Sequence, residues 1–226
     1  MTFEEIDREP TALGTLTLHR YEHRGEQGYE VRLDDAFLMA THGALGEEVM
    51  VTLARERVPD PRRVLVGGLG AGHTLRAVLR QLPDAAVVVV EIGAKVVEWN
   101  RQHFDPSLGP SVDDPRVSTT IGDLAEHLRQ EGSRYDVMLL DVDNGPGWLA
   151  SPANAWLYTE QGLRATRGAL RAGGAVVIWS PDPNPRLAAA LDAVFGSHDV
   201  VASRERVESS APGLASPTDV VYLARA

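Results

Sequence analysis

Residues 64–91 confine this chain to a narrow class of folds. An apolar run, Val64-Leu65-Val66, enters a glycine turn, Gly67-Gly68-Leu69-Gly70-Ala71-Gly72, and a helical pattern follows from about His73 to Leu82. A second apolar run, Ala86 to Val90, then ends on Glu91. Each part has a physical role. Glycines let the backbone turn sharply and approach a ligand that a Cβ would hold off. The following helix offers unpaired N–H groups and the positive end of its dipole. An acid about 20 residues beyond the turn is placed to accept from both hydroxyls of a ribose. The unit reads as a nucleoside cradle, with Glu91 expected at an exposed strand end.

The glycine spacing narrows the nucleoside. A dinucleotide fingerprint, G-x-G-x-x-G, puts its third glycine at position 73 after Gly68 and Gly70, and that residue is His73. Here the glycine comes one residue early, at Gly72. The form G-x-G-x-G is met in S-adenosylmethionine-dependent transferases, where no pyrophosphate is held. No G-K-[ST] follows, which excludes a P-loop. A glycine turn alone also fits a plain α/β connection. The flanking strands and Glu91 weigh for the nucleoside.

After Arg63 the pattern alternates strand and helix, the mark of a parallel sheet covered on both faces. Strands are expected at 63–67, 86–91, 116–121, 135–141 and 175–180, and helices at 73–82, 94–104, 123–131, 158–171 and 185–195. Two more strands, near 199–206 and 218–224, flank a Ser/Pro/Gly-rich loop from Ser209 to Pro217 and form an antiparallel hairpin at the sheet edge. Before this, Leu16, Leu18, Tyr29, Val31, Leu33, Phe37 and Met39 are spaced by two, with polar turns at 25–28 and Asp34-Asp35. A small antiparallel sheet of about three strands follows from them. Residues 46–57 are helical, with Glu47 and Glu48 in the first turn and Arg55 and Arg57 in the last; Pro59-Asp60-Pro61 closes that helix. The organisation is a small N-terminal β region, 1–45, and a Rossmann-like domain, 46–226, with a seven-stranded methyltransferase-type sheet.

Composition sets limits. A formal charge of −10 argues against a nucleic-acid partner, which needs a basic stripe for phosphates. The absence of cysteine removes thiol catalysis, thiolate metal sites and disulfides. The start, Met1-Thr2-Phe3-Glu4-Glu5, is acidic and lacks the apolar core of a signal peptide, and the run Ala85 to Val90 is too short to span a bilayer. No membrane partner and a cytoplasmic location are the expectations. The histidines form no metal-ligand spacing, and no G-x-S-x-G elbow is present, so neither a metal nor a serine nucleophile is expected.

In open α/β sheets ligands sit beyond the carboxyl ends of the strands. Those ends carry Gly68, Gly70, Ala71 and Gly72, then Glu91 and Ile92, Gly122 and Asp123, Asp141, and Trp179-Ser180. Asp123 opens a helix and suits an N-cap; it also suits an acceptor for an adenine amino group, and one residue can be both. Asp141 ends the apolar strand Val137-Met138-Leu139-Leu140, where an unpartnered carboxylate is costly. The loop after it carries Asp143, Asn144, two glycines and Trp148, and has the make-up of a segment that closes over a substrate. An ordinary turn with a packed Trp fits the same residues.

These residues resemble the spermidine synthase family, the aminopropyltransferases built on a methyltransferase fold, over nearly the whole chain. Leu33-Asp34 is similar to its "L-D-G" hairpin, and Val64 to Arg76 to its glycine turn and the "T-L-R" beyond. Val90-Glu91-Ile92 resembles "V-E-I-D", whose acid holds the ribose, and Ile121-Gly122-Asp123 resembles the "G-D-G/A" of the adenine carboxylate. Tyr135 to Asp141 resembles "Y-D-V-I-I-x-D", Leu157-Tyr158-Thr159-Glu160 resembles "L-[YF]-T-E-E-F-Y", and Ala172-Gly173-Gly174 the "L-x-P-G-G" turn. The resemblance implies a donor of the S-adenosylmethionine type, a small acceptor such as an amine, and a homodimer.

The departures fall on the amine side. The family turn "G-G-G-D-G-G" carries an acid for the aminopropyl ammonium, and Ala71 stands there. The family's "Y-H-E" aligns with Gly46-Glu47-Glu48, and its "D-S-S/T-D-P" loop reads Asp141-Val142-Asp143-Asn144-Gly145. Residues that would hold the nucleoside are kept, while those that would hold the ammonium are replaced. Three readings follow. The first is methyl transfer from S-adenosylmethionine to a small acceptor, with Asp141 as base or anchor, Asp143 and Asn144 shaping the pocket, and Trp148 closing it beside Tyr158. The second is aminopropyl transfer from decarboxylated S-adenosylmethionine to a polyamine, with Asp143, Glu47 or Glu48 replacing the missing acids. The third is a nucleoside- or partner-binding protein without turnover.

Overall fold

Four antiparallel strands open the chain in the computed structural model: β1 (Phe3–Thr11), β2 (Gly14–His23), β3 (Glu26–Leu33) and β4 (Ala36–Ala40), paired in that order. The structure describes residues 3–23, 25–42, 45–130, 134–142, 149, 151–203 and 219–226. The period-two pattern expected three strands, and β1 is the addition. Its residues are mostly exposed because it is an edge strand, so it carries no apolar alternation to read. The turn at Asp34-Asp35 is as expected, with φ of 45° and 69° at its two residues, the left-handed pair a tight hairpin requires.

Asp7 ties this sheet to the rest of the molecule. Its Oδ2 accepts from Trp99 Nε1 at 2.8 Å and lies 2.9 Å from Lys95 Nζ. The Trp99 indole and then the Lys95 ammonium hold the Asp7 carboxyl down at about 2, against an ordinary 3.8. A carboxyl depressed on folding stabilises the native state above its unfolded value, and that contribution disappears as pH falls through the folded one. Thermal melts should therefore drop between about pH 4 and pH 2, and Asp7→Asn should flatten that part of the profile. An unchanged profile would show that the contact does not stabilise the sheet.

Helix α1 (Leu45–Arg57) leads to the second sheet. Strands β5 (Arg63–Gly67), β6 (Ala86–Glu91), β7 (Val117–Ile121), β8 (Tyr135–Leu140) and β9 (Leu170–Ser180) are parallel; β10 (Asp199–Ala202) and β11 (Val220–Arg225) form the antiparallel edge. The order is β10-β11-β9-β8-β5-β6-β7, the seven-stranded plan expected. From β5 the chain goes outward to β6 and β7, then returns to β8 on the other side. The crevice between β5 and β8 is thus the switch point at which such sheets take ligands.

The connecting helices are α2 (His73–Gln81), α3 (Ala94–Trp99), α4 (Asp105–Leu108), α5 (Leu124–Arg129), α6 (Glu160–Ala169) and α7 (Pro185–Phe195). Residues 100–104 between α3 and α4 form a π-helical turn, and a 3₁₀ helix spans Pro152–Tyr158. β9 starts at Leu170, five residues before the expected 175: Leu170 pairs with Tyr135, and the ladder then shifts register past Gly173, at φ +79°, and Gly174 before Ala175 meets Val137. Side chains alternate across the sheet: Leu139 and Val177 join the core on one face, Leu140 and Ile178 that on the other. Among the described residues no helix is long and apolar enough to cross a membrane.

Candidate active site

The glycine turn lies where β5 ends. Gly68 has φ +83°, and a Cβ there would sit 2.3 Å from the Asp141 carbonyl oxygen, so only glycine lets β5 and β8 close together at their ends. Gly72 caps α2 at φ +80°, and its Cβ would meet Arg76 Nη1 at 2.5 Å and Asn100 Oδ1 at 2.7 Å. Those two side chains brace the turn from behind. Arg76 Nη1 donates to Ala71 O at 2.6 Å and Nε to Gly109 O at 2.7 Å, while Nη2 pairs with Asp105. Asn100 Nδ2 donates to Gly70 O and to Val96 O, both at 2.9 Å. Neither residue stood among the expected site residues. Arg76 was visible as the arginine of the T-L-R run. Asn100 gives no sequence signal, since its helical stretch also carries Lys95, Glu98, Arg101, Gln102 and His103.

Glu91 ends β6 but is not at an exposed strand end: it is 8% exposed. Its Oε2 accepts from Leu69 N at 2.8 Å and its Oε1 from Gly93 N at 2.7 Å, stitching the glycine turn to the start of α3. Burial pushes its carboxyl above the usual range, opposed by these backbone N–H groups. Ile92 follows, 54% exposed, and Ile121, opposite Glu91 on β7, is 50% exposed. Two exposed isoleucines at adjacent strand ends suit the faces of a planar base. Ile121 was missed, although an apolar residue directly before Gly122-Asp123 was legible.

Gly122 donates its N–H to Glu91 O at 2.9 Å and has open space where a Cβ would stand. Asp123 is the N-cap of α5, its Oδ1 accepting from Ala125 N at 2.6 Å and Glu126 N at 3.1 Å. Both bonds land on one oxygen, which leaves Oδ2 for a ligand.

Asp141 follows β8 and is half-buried; its Oδ2 accepts from the Thr74 hydroxyl at 2.8 Å, and burial raises its carboxyl above the ordinary range. The Tyr158 hydroxyl donates to Val142 O at 3.1 Å, fixing the peptide just beyond Asp141. Asp143, Asn144 and Trp148 lie outside the described residues. Glu48 is not brought to the site. It pairs with Arg80, and its Oε2 accepts from Gln81 Nε2 at 2.8 Å, at the far end of α2 from the glycine turn. Ala71 is 4% exposed and belongs to the hydrophobic core that includes Leu69 and Leu75, so its methyl serves packing.

The sequence model of the spermine/spermidine synthase domain matches residues 44–200. The chain belongs to that family. It is 35% identical over 155 residues to a polyamine aminopropyltransferase of Synechococcus sp. strain JA-2-3B'a(2-13), a match spanning 67% of this chain and 46% of the relative. It is 34% identical over 163 residues to polyamine aminopropyltransferase 2 of Pseudomonas aeruginosa, spanning 67% and 45%. The matched region thus covers about half the length of these curated relatives. The crystal structure of spermidine synthase from Thermotoga maritima shares the fold, with a TM-score of 0.78 at 22% identity over 98% of this chain and 72% of that one. These likenesses back the aminopropyl alternative over methyl transfer. The methyl reading leaned in part on the acid missing at Ala71, a position whose side chain is here part of the core.

Proposed function

We propose that this chain transfers an aminopropyl group from decarboxylated S-adenosylmethionine to an amine. The observation that carries the reading is Asp141, a half-buried carboxyl against the glycine turn with Thr74 as its hydrogen-bond donor. A partly desolvated carboxylate held by one hydroxyl favours a cation beside it. The decarboxylated donor brings an ammonium, and so does the acceptor. S-adenosylmethionine would bring a carboxylate to the same region, where like charges repel. Arg76, beside the turn, already serves Ala71 O, Gly109 O and Asp105, so its guanidinium is not offered to that carboxylate.

The residues present fit an adenosine donor. Glu91 would hold the ribose, Ile92 and Ile121 flank the base, and Asp123 Oδ2 accept from its amino group. When bound, the donor supplies a methylene carbon made electrophilic by its sulfonium. The chain's part is then alignment and proton removal. Asp141 orients the acceptor and takes a proton from its ammonium, freeing the nitrogen lone pair. Its raised affinity for protons suits that task nearer neutral pH than an ordinary carboxylate. Thr74 sets the direction of the carboxylate, and Tyr158 steadies the backbone behind it.

Incubation with decarboxylated S-adenosylmethionine and a panel of di- and polyamines should release methylthioadenosine only when an amine is present. Calorimetry should rank the decarboxylated donor above S-adenosylmethionine. Tighter binding of S-adenosylmethionine would restore the methyl reading. Methylthioadenosine binding with no turnover on any amine would leave a nucleoside-binding protein.

A further inference from the structure

We propose that Asn100 and Asp105 are positioning residues for the donor, brought together by the π-helical turn between them; this rests on the reading that the glycine turn seats the donor, and names what sets that turn. Residues 100–104 form the π-helical turn, and the Asp105 N–H closes it by donating to Asn100 O, a bond that spans five residues. In an α-helix, at 3.6 residues per turn, positions five apart point about 140° away from each other. The wider turn brings such positions back over one another. Both side chains therefore reach the glycine turn from one side. Asn100 Nδ2 donates to Gly70 O at 2.9 Å. Asp105 holds the guanidinium of Arg76, whose Nη1 donates to Ala71 O at 2.6 Å. Two successive carbonyls of the glycine turn are thus fixed from one short helical segment.

In a trans peptide the C=O and N–H point in opposite directions, and no peptide bond described here is cis. Holding Gly70 O turns the Ala71 N–H away from the helical segment, to the side left for a ligand. The rest of the turn is tied to the same shape: Gly72 N donates to Leu69 O and Leu69 N to Glu91 Oε2, both at 2.8 Å. A turn that slackened would move the Glu91 carboxylate with it. The arrangement also carries costs that packing alone would avoid. Asn100 is wholly enclosed, and its Oδ1, 2.7 Å from where a Cβ at Gly72 would stand, has no hydrogen-bond partner among the described residues. A buried acceptor left unpaired destabilises, and a leucine of similar size would remove it. Arg76 and Asp105 are largely desolvated beside it. An uncommon helix type, an orphan acceptor and a buried ion pair meet at the back of the glycine turn, and such costs gather where a site must keep its shape.

The test is calorimetry of methylthioadenosine into the full chain and its variants, each run well below its Tm. Asn100→Leu keeps the volume and removes the donor to Gly70 O. The turn then holds the binding shape only part of the time, and affinity falls by that fraction. The expected loss is roughly five- to fiftyfold, the range for one buried carbonyl left without its partner. Arg76→Lys keeps a charge against Asp105 but cannot span Ala71 O, Gly109 O and Asp105 together, so it should weaken binding similarly. Asp105→Asn, which keeps an acceptor and loses the charge, should fall between these and wild type. In turnover the donor KM should rise while kcat at saturating donor and the amine KM stay level. Asp136→Ala is the control for plain destabilisation. Asp136 Oδ2 accepts from Arg62 N at 2.9 Å and Arg63 N at 2.7 Å where β5 and β8 begin, so its loss should lower Tm and leave the donor KM unchanged. Unchanged methylthioadenosine affinity in folded Asn100→Leu overturns the positioning role and leaves the aminopropyl reading standing. If that variant does not fold, unchanged affinity in Arg76→Lys and Asp105→Asn overturns it instead. An equal loss in Asp136→Ala, or an amine KM that rises as much as the donor KM, also overturns it. A wild-type chain that binds no methylthioadenosine overturns both readings.

Discussion

Asp141→Asn is expected to lower kcat/KM for the amine on the order of 10²–10⁴-fold, the usual contribution of a positioned base. Methylthioadenosine affinity should change little, since that nucleoside carries no ammonium. The pH profile gives an independent check. Burial raises the Asp141 carboxyl, so the wild-type rate should climb with pH through a point above the ordinary carboxylate range, and the asparagine variant should lose that limb. Stability should move the other way. A carboxyl raised on folding binds its proton more tightly in the native state, so ligand-free stability falls as pH rises from the unfolded value through the folded one. Asparagine removes that cost and can still accept from the Thr74 hydroxyl. The ligand-free variant should thus melt no lower than wild type at neutral pH. Reduced activity with equal or higher stability marks a group kept for function. A folded variant retaining more than about a tenth of wild-type activity would mean that another group takes the proton.

The parts of the site that sequence made legible are those fixed by local chemistry. Glycines at 68, 70 and 72 and the acid at 91 sit at fixed offsets from apolar strands, and the capping role of Asp123 follows from its place before a helix. Parts that depend on distant pairing were not legible. β1 is polar because it lies at a sheet edge, and its tie to Trp99 joins residues 92 positions apart. The brace of the glycine turn depends on Asn100, which opens the π-helical stretch, a feature no residue pattern announces. Glu48 looked available because its charge was read without its partners; in the fold Arg80 and Gln81 claim it. Ala71 misled for a related reason. The loss of an acid says something about ligand only if the new side chain faces the ligand, and the Ala71 methyl is core. Trp179 was visible at a strand end, but its neighbour Asp141 is set by the β8–β9 register, which no local pattern encodes.

Glu91→Ala carries the second large effect, and its consequences are double because the residue is buried. At an exposed strand end, removal would cost ligand affinity alone. In the fold its two carboxylate oxygens accept from Leu69 N and Gly93 N, so alanine leaves two backbone donors without their partner. Each buried amide left unsatisfied costs about 1–3 kcal/mol, reduced where water can reach the gap. Part of that is offset, because the raised carboxyl itself disfavours the ionised native state at neutral pH. A net loss of about 2 kcal/mol corresponds to roughly 4–8 °C in Tm for a chain of this size. The affinity for methylthioadenosine should fall by about 1.5–3 kcal/mol, the range for hydrogen bonds to a charged group, or roughly 10- to 150-fold. Glu91→Gln separates the two roles. It keeps one acceptor for the backbone and one orientation for a ribose hydroxyl, so both losses should be intermediate. Titrations run well below each variant's Tm remove the stability effect from the comparison. A variant that melts early yet binds methylthioadenosine as wild type does would make Glu91 a brace for the glycine turn alone. The nucleoside would then have to be held by Asp123 and the isoleucines without a ribose acid, and the donor assignment would lose its main support.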